Sequence, residues 1–256
     1  MNRLQDRIAI VTGVSRRKGI GTAICKALAS EGANIFFTDW VPFDETQEYG
    51  GDESFPGLFE KELSKLGVKS SQLSINLADR DAYERLLDAV EDSLGTPAIL
   101  VNNAAHCQEV SYREMTSEIL DMHYPVNVRS TCMLSTHFVQ RYGTFGGRII
   151  KLVSGQEKTP TPGNIAYETT KGAISIFTQC LAREVASLGV TVNAVDPGPT
   201  DSGWMTDEIR DLLLPKFPMG RIGTPEDVAK LIAFLASDDA QWITGQIIHS
   251  DGGFWD

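Results

Sequence analysis

No apolar run in the sequence approaches the ~20 residues that a membrane span requires. The chain opens Met1-Asn2-Arg3-Leu4-Gln5-Asp6 and passes at once into a strand-like segment. Neither a secretory leader nor a membrane partner is therefore expected, and a cytoplasmic location is. Cysteine is scarce: Cys25, Cys107, Cys132 and Cys180 lie far apart and form no CxxC pair. That argues against a disulfide framework and a thiolate metal site, and predicts reduced, mostly buried thiols. Positive charge is also short, with 23 Lys and Arg against 34 Asp and Glu, a formal net charge of −11. A duplex-binding surface needs clustered cations against phosphate, so nucleic acid is not an expected partner. Arg16-Arg17-Lys18 is the one short basic cluster. Repeats, low-complexity tracts and linkers are missing too, which predicts one domain over residues 1–256.

What is present has the composition of a globular fold, 42% hydrophobic and 22% charged. Strand-length apolar runs recur at Arg7–Thr12, Asn34–Asp39, Ser71–Ile75, Ala98–Asn102, Gly147–Ser154, Thr191–Val195 and Gln246–His249. Several are continuously apolar and rich in Ile and Val, as strands buried on both faces of a parallel sheet are. Helical patterns fill the intervals at Gly21–Glu31, Phe55–Leu66, Asp79–Leu94, Thr116–Arg141, Asn164–Leu188 and Pro225–Ala236. This alternation predicts a single-domain α/β, Rossmann-type doubly wound parallel sheet of about seven strands, with helices on both faces. Trp40–Gly57 is acidic and punctuated by Pro and Gly, so it reads as an exposed loop. Pro197–Gly220, with its four prolines, has the length of a lid or binding element.

The first strand runs into Thr12-Gly13-Val14-Ser15-Arg16-Arg17-Lys18-Gly19-Ile20-Gly21 and then a helix. Glycine allows a sharp turn and close approach to a pyrophosphate, and a helix N-terminus offers free N–H groups. A bare strand-to-helix turn has the same composition. Asp39 closes the second strand, about 20 residues beyond the last of these glycines, where a carboxylate can accept both ribose hydroxyls of an adenosine. It can equally be a strand-terminal turn residue.

Tyr167 and Lys171 stand four residues apart, on one face of a predicted helix. A phenol with a pKa near 10 exchanges protons poorly at neutral pH until something stabilises its anion, and a neighbouring ammonium does so. The spacing alone is common. Ser154, however, ends the strand just before this helix, at the sheet edge where ligands bind in open α/β folds. A hydroxyl there can hydrogen-bond an oxygen on which charge develops, or serve as a cap.

With these residues in hand, the chain resembles the short-chain dehydrogenase/reductase family over essentially its whole length. The matching elements occur in the family's order: Gly13/Gly19/Gly21, Asn102-Asn103-Ala104-Ala105, Asn127, Ser154, Tyr167-x-x-x-Lys171, Pro197-Gly198, Arg221–Asp227, Ile243–Gln246 and Asp251-Gly252-Gly253. Ser154 precedes Tyr167 by 13 residues, the family's usual interval. The resemblance implies an NAD(P)-dependent oxidoreductase that interconverts a carbonyl and a secondary alcohol by hydride transfer. In it Tyr167 is the general acid/base, Ser154 polarises the carbonyl, Lys171 binds the nicotinamide ribose and lowers the tyrosine pKa, and Asn127 holds a relay water. It further implies cofactor contacts from Gly13, Ser15, Arg16, Lys18, Gly19, Ile20, Asp39, Asn76, Leu77, Asn103, Ala104, Pro197, Gly198, Thr200 and Ser202. A homotetramer or homodimer is implied as well.

Some positions depart from the family pattern. Five residues separate Gly13 from Gly19 where the family usually has three, and Asn-Asn-Ala-Ala replaces Asn-Asn-Ala-Gly. Divergent enoyl reductases also lengthen the glycine turn, but place six residues between Tyr and Lys. The pattern is most similar to bacterial 3-oxoacyl-[acyl-carrier-protein] reductases, which dock an acidic carrier on basic residues. The corresponding positions here are Thr144–Gly147 and Ser187–Gly189, with Arg141 and Arg148 near the first. A small-molecule carbonyl or alcohol is thus the expected substrate, the carrier-protein reductase an alternative, and a non-catalytic dinucleotide sensor a further one. Asp39 favours NAD, since a carboxylate ~4 Å from a 2′-phosphate costs about 4 kcal/mol at an effective dielectric near 20; Arg16-Arg17-Lys18 favours NADP. NAD is the expectation. Substrate selection is expected from Ala105–Arg113, Gly155–Asn164 and Pro197–Gly220, the last with Trp204, Met205, Phe217 and Met219 as a partly apolar lid.

Overall fold

The computed structural model describes residues 2–47, 49–155, 158 and 160–255. Seven strands form one parallel sheet: β1 (Ile8–Val11), β2 (Asn34–Asp39), β3 (Ser70–Ser74), β4 (Ile99–Asn102), β5 (Gly147–Leu152), β6 (Val190–Asp196) and β7 (Ile247–His249). Their order is β3-β2-β1-β4-β5-β6-β7, so the winding reverses between β1 and β4. This is the doubly wound α/β fold that the alternating pattern predicts, and the reversal opens a crevice at the carboxyl edge.

Side-chain alternation along the strands builds a core on each face. Ala9 and Val11 of β1 point to one side, with Ile35 and Phe37 of β2. There α1 (Ile20–Ser30) and α9 (Pro225–Ala236) cover them with Ile24, Leu28, Ile232 and Leu235. Ile8, Ile10, Phe36 and Leu100 point to the other. They meet Leu86 and Val90 of α4 (Ala82–Ser93), Leu134 and Phe138 of α6 (Thr131–Tyr142), and Leu181 and Val185 of α7 (Ile165–Val185). Burial on both faces explains why these strands read as unbroken apolar runs.

Four sequence expectations are corrected. The pattern over Thr116–Arg141 is not one regular helix. It divides into α5 (Ser117–Tyr124), a π-helical turn over Pro125–Ser130, and α6. Pro125 lacks the N–H that a regular helix would donate there, and the widened turn absorbs the loss. Trp40–Gly57 is not simply an exposed loop. It contains α2 (Val41–Asp44), with Val41 and Asp44 buried, and the start of α3 (Phe55–Ser64), whose Phe55 and Phe59 stack at 5.4 Å. Glu48 of that stretch lies outside the described residues. Pro197–Gly220 carries α8 (Asp207–Leu213), and within it Met205 and Phe217 are buried while Trp204 and Met219 are exposed. Finally, the thiols are free but not mostly buried: Cys25 is buried, Cys132 half-buried, and Cys107 and Cys180 exposed.

Candidate active site

Because every strand is parallel, the residues that follow the strands gather on one edge. Gly13 follows β1, Asp39 ends β2, Asn76 follows β3, Asn103 follows β4, Ser154 follows β5 and Pro197 follows β6. At the β1 end Gly13 has φ +75°, and an added Cβ there would stand 2.7 Å from the Ala104 Cα. Gly21 is equally closed, since its Cβ would meet the Gly13 carbonyl at 2.7 Å. The turn is braced from β4. Asn103 Nδ2 donates to the Thr12 and Gly13 carbonyls, both at 2.9 Å, and the Asn103 and Ala104 N–H groups donate to Thr12 Oγ1 at 3.0 and 3.1 Å. Helix α1 begins at Ile20 with Gly19 as an N-cap that lacks a side-chain acceptor. Its first N–H groups and positive dipole end are therefore available to an anion.

Asp39 is buried, and burial holds its carboxyl above the usual range despite the Ser74 hydroxyl and the Val41 N–H. Its Oδ2 is buried with no hydrogen-bond partner. An unpaired buried oxygen is costly, and a ribose hydroxyl would satisfy it; with the uncapped helix it makes the crevice a fit for an adenine dinucleotide. Leu77 is buried beside Ala104, and Asn76 Oδ1 accepts the Ala78 N–H at 2.9 Å. Arg16 leans over the Tyr49 ring at 4.0 Å, has Nε 4.0 Å from Asp44 Oδ1, and reaches the Ser202 carbonyl at 3.5 Å. Ser15 Oγ accepts the Trp40 N–H at 3.3 Å, whereas Lys18 is exposed. On the far side Gly198 (φ +60°) donates to Asp196 Oδ1 at 2.9 Å, and Thr200 Oγ1 donates to the Pro197 carbonyl at 3.1 Å.

The substrate end is built from side chains. Helix α7 carries Tyr167, Glu168, Thr170 and Lys171. Lys171 Nζ lies 5.4 Å from the Tyr167 ring centroid and donates to the Leu152 carbonyl at 2.8 Å. Burial lowers its ammonium to about 8. Burial also pushes the Tyr167 phenol well above its ordinary value, and Cys107, Glu168 and Asp196 push the same way. Loss of solvent is the largest of these influences on the phenol. Asn127 lies in the π-turn. Its Oδ1 accepts the His106 N–H at 2.7 Å, and its Nδ2 donates to the His106 carbonyl at 2.8 Å and to Thr170 Oγ1 at 2.9 Å. Its direct neighbour on α7 is thus Thr170.

Several residues here went unassigned in the sequence. Ser154 Oγ donates to Glu168 Oε1 at 3.4 Å. The His106 ring meets Phe43 at a tilt and His123 edge-to-face, at 5.2 and 4.6 Å, and burial lowers it to about 4. Asp196 pairs with His249 Nδ1 at 2.7 Å. Glu168 is adjacent to Tyr167 and Asp196 to Pro197; adjacency to a motif was the available signal. In the Gly155–Asn164 segment, Gln156, Glu157 and Thr159 lie outside the described residues.

Residues 13–255 match the protein family described as Enoyl-(Acyl carrier protein) reductase. The chain is 51% identical to the uncharacterized oxidoreductase YjdA of Bacillus subtilis, with 99% of each chain covered. It is 36% identical to the 3-oxoacyl-[acyl-carrier-protein] reductase FabG of Haemophilus influenzae, over 98% of this chain and 99% of that one. A solved short-chain dehydrogenase/reductase from Serratia marcescens superposes with a TM-score of 0.88 at 32% identity, covering 99% of this chain and 100% of that one. No helix among the described residues is long and apolar enough to cross a membrane. The chain belongs to the short-chain dehydrogenase/reductase family, oxidoreductases that act on CH–OH and C=O groups with NAD(P).

Proposed function

We propose that the protein reduces a carbonyl of a small molecule to a secondary alcohol, with Tyr167 as proton donor and NADH as the preferred cofactor. The observation that carries this reading is the pairing of half-buried Tyr167 with buried Lys171 at the same sheet edge as the uncapped glycine turn. A nicotinamide bound in the crevice would supply the hydride to the carbonyl carbon. The oxygen then takes the Tyr167 proton as its C=O double bond becomes a single bond. Burial keeps the phenol protonated at neutral pH, which fills the donor state that reduction needs and disfavours the phenolate that oxidation needs. Lys171 stabilises the phenolate left behind, and Ser154 hydrogen-bonds the oxygen as charge develops. Asn127 Oδ1 retains a lone pair on which a relay water can sit.

Two features support NAD. Asp39 presents its free Oδ2 where a 2′-phosphate would be repelled, and Arg16 is engaged by Asp44, Tyr49 and the Ser202 carbonyl. A hundredfold preference for NADPH in kcat/KM would overturn this assignment. The alternative, a 3-oxoacyl-[acyl-carrier-protein] reductase, has the relatives' names in its favour. Against it, Arg141 is paired with Asp88 at 2.5 Å, and buried Arg148 with Asp238 at 3.1 Å, so neither is presented to an acidic carrier. We read the whole chain as one catalytic domain, cytoplasmic in keeping with its free thiols. It self-associates as a homodimer or homotetramer, for which the exposed Ile176, Trp242 and Trp255 supply apolar surface.

The test is a panel of ketones, aldehydes and acyl thioesters with NADH and NADPH. NADH oxidation by a free ketone or keto ester supports the reading. Turnover confined to carrier-bound thioesters would establish the alternative. Cofactor binding without turnover of any member would indicate a sensor.

A further inference from the structure

Ser154 has a single hydroxyl hydrogen, and two acceptors compete for it. One is the Glu168 Oε1, 3.4 Å away. The other, on the function proposed above, is the substrate carbonyl oxygen. An ionised carboxylate only accepts, so it draws the hydrogen from the substrate and turns the serine lone pairs toward the carbonyl. A protonated carboxyl instead donates to Ser154 Oγ and releases the serine hydrogen to the substrate. We propose that Glu168 is a positioning residue whose protonation directs the Ser154 hydroxyl at the substrate carbonyl, so that carbonyl reduction is switched on by protonation of Glu168. This rests on the proposed function.

The surroundings make the switch usable. Glu168 is half-buried, and burial raises its carboxyl above the ordinary range. Asp196, at the end of β6, raises it further, while Lys171 and the hydroxyls of Ser154 and Thr161 favour the charged form. Cys107, from the segment after β4, and Tyr167 both feel the Glu168 charge. Ionised Glu168 pushes the Tyr167 phenol up, so its protonation also makes Tyr167 a stronger acid. Both effects aid reduction at lower pH.

The pH dependence of kcat/KM for carbonyl reduction tests this in the intact enzyme. The wild type loses activity, with a slope of one proton, as pH rises through the Glu168 pKa. Glu168→Gln and Glu168→Leu both lose that limb. On its high-pH side Glu168→Leu exceeds the wild type by roughly tenfold, a fraction of the ~10²–10³ that losing a whole oxyanion donor costs. A limb that persists in both variants overturns the proposal. A second measurement needs no turnover: infrared titration of the Glu168 carboxyl, assigned by its loss in Glu168→Gln. Ser154→Ala removes a donor to the ionised form and must move the midpoint to higher pH; an unmoved midpoint overturns the coupling. Failure to reduce any carbonyl defeats the functional reading, while the infrared result still decides the Ser154–Glu168 link.

Discussion

The two ends of the crevice are made differently. At the dinucleotide end, recognition is left to backbone. Gly13 and Gly21 leave no room for a Cβ, Thr12 and Asn103 saturate the turn with hydrogen bonds, and the start of α1 is uncapped. Its one orphaned polar atom among the described residues is Asp39 Oδ2. At the substrate end, recognition is left to ionisable side chains whose titration burial has displaced: Tyr167 and Glu168 upward, Lys171 to about 8 and His106 to about 4. The first end is a rigid receptor whose fit is settled by space. The second is an electrostatic balance that one proton can tip.

The comparison breaks most sharply at Tyr167. Tyr167→Phe should lose at least ~10²-fold in kcat, the scale of an acid–base group, while fluorescence titration shows unchanged NADH affinity. Gly13→Ala should do the reverse. A side chain at φ +75°, 2.7 Å from the Ala104 Cα, should cost about 2 kcal/mol of stability in urea denaturation and weaken NADH binding. Equal effects of the two substitutions on NADH binding would erase the distinction. Asp39→Asn should raise the NADPH-to-NADH ratio of kcat/KM about tenfold, since removing the charge relieves repulsion that solvent partly screens.

The smallest effect lies outside both ends. Lys151, on β5, is fully buried with an unpartnered Nζ 5.0 Å from the Phe177 ring, and burial lowers it to about 7. Lys151 and Lys171 both titrate lower in the folded chain than their ordinary 10.5. The unfolded chain therefore binds more protons across that interval, and stability rises with pH from about 7 toward 10.5. Lys151→Met, similar in volume and uncharged, should raise Tm most at pH 7 and below, and progressively less as the medium becomes more alkaline. A gain in Tm that does not vary with pH would mean that packing, and not the buried ammonium, decides.

Strand and helix order was legible because burial on two faces writes itself as apolar runs, and amphipathic helices as periodic ones. Seven strands could be placed to within a residue or two. The failures share a cause. The stretch after Asp39 reads as loop because its acids and glycines are counted one by one, whereas Val41, Asp44 and Phe55 are buried by packing against distant segments. Pro125 signals an irregularity but not its form, since whether a helix kinks, ends or widens depends on what lies against it. Cysteine exposure failed likewise: Cys107 and Cys180 are apolar enough to bury, but their helices and loops face them outward.

By itself the sequence determined the parallel sheet, the glycine turn and the presence of Ser154, Tyr167 and Lys171 at motif spacing, because these depend on local geometry and nearest-neighbour periodicity. Tertiary structure alone decided what surrounds them. It set the Ser154 hydroxyl against Glu168, gave Asn127 to His106 and Thr170, engaged Arg16 with Asp44 and Tyr49, and held buried Lys171 over the half-buried Tyr167 ring. Hydrogen-bond partners and desolvation are set by residues distant in the chain, and their energies depend on distances that no spacing encodes.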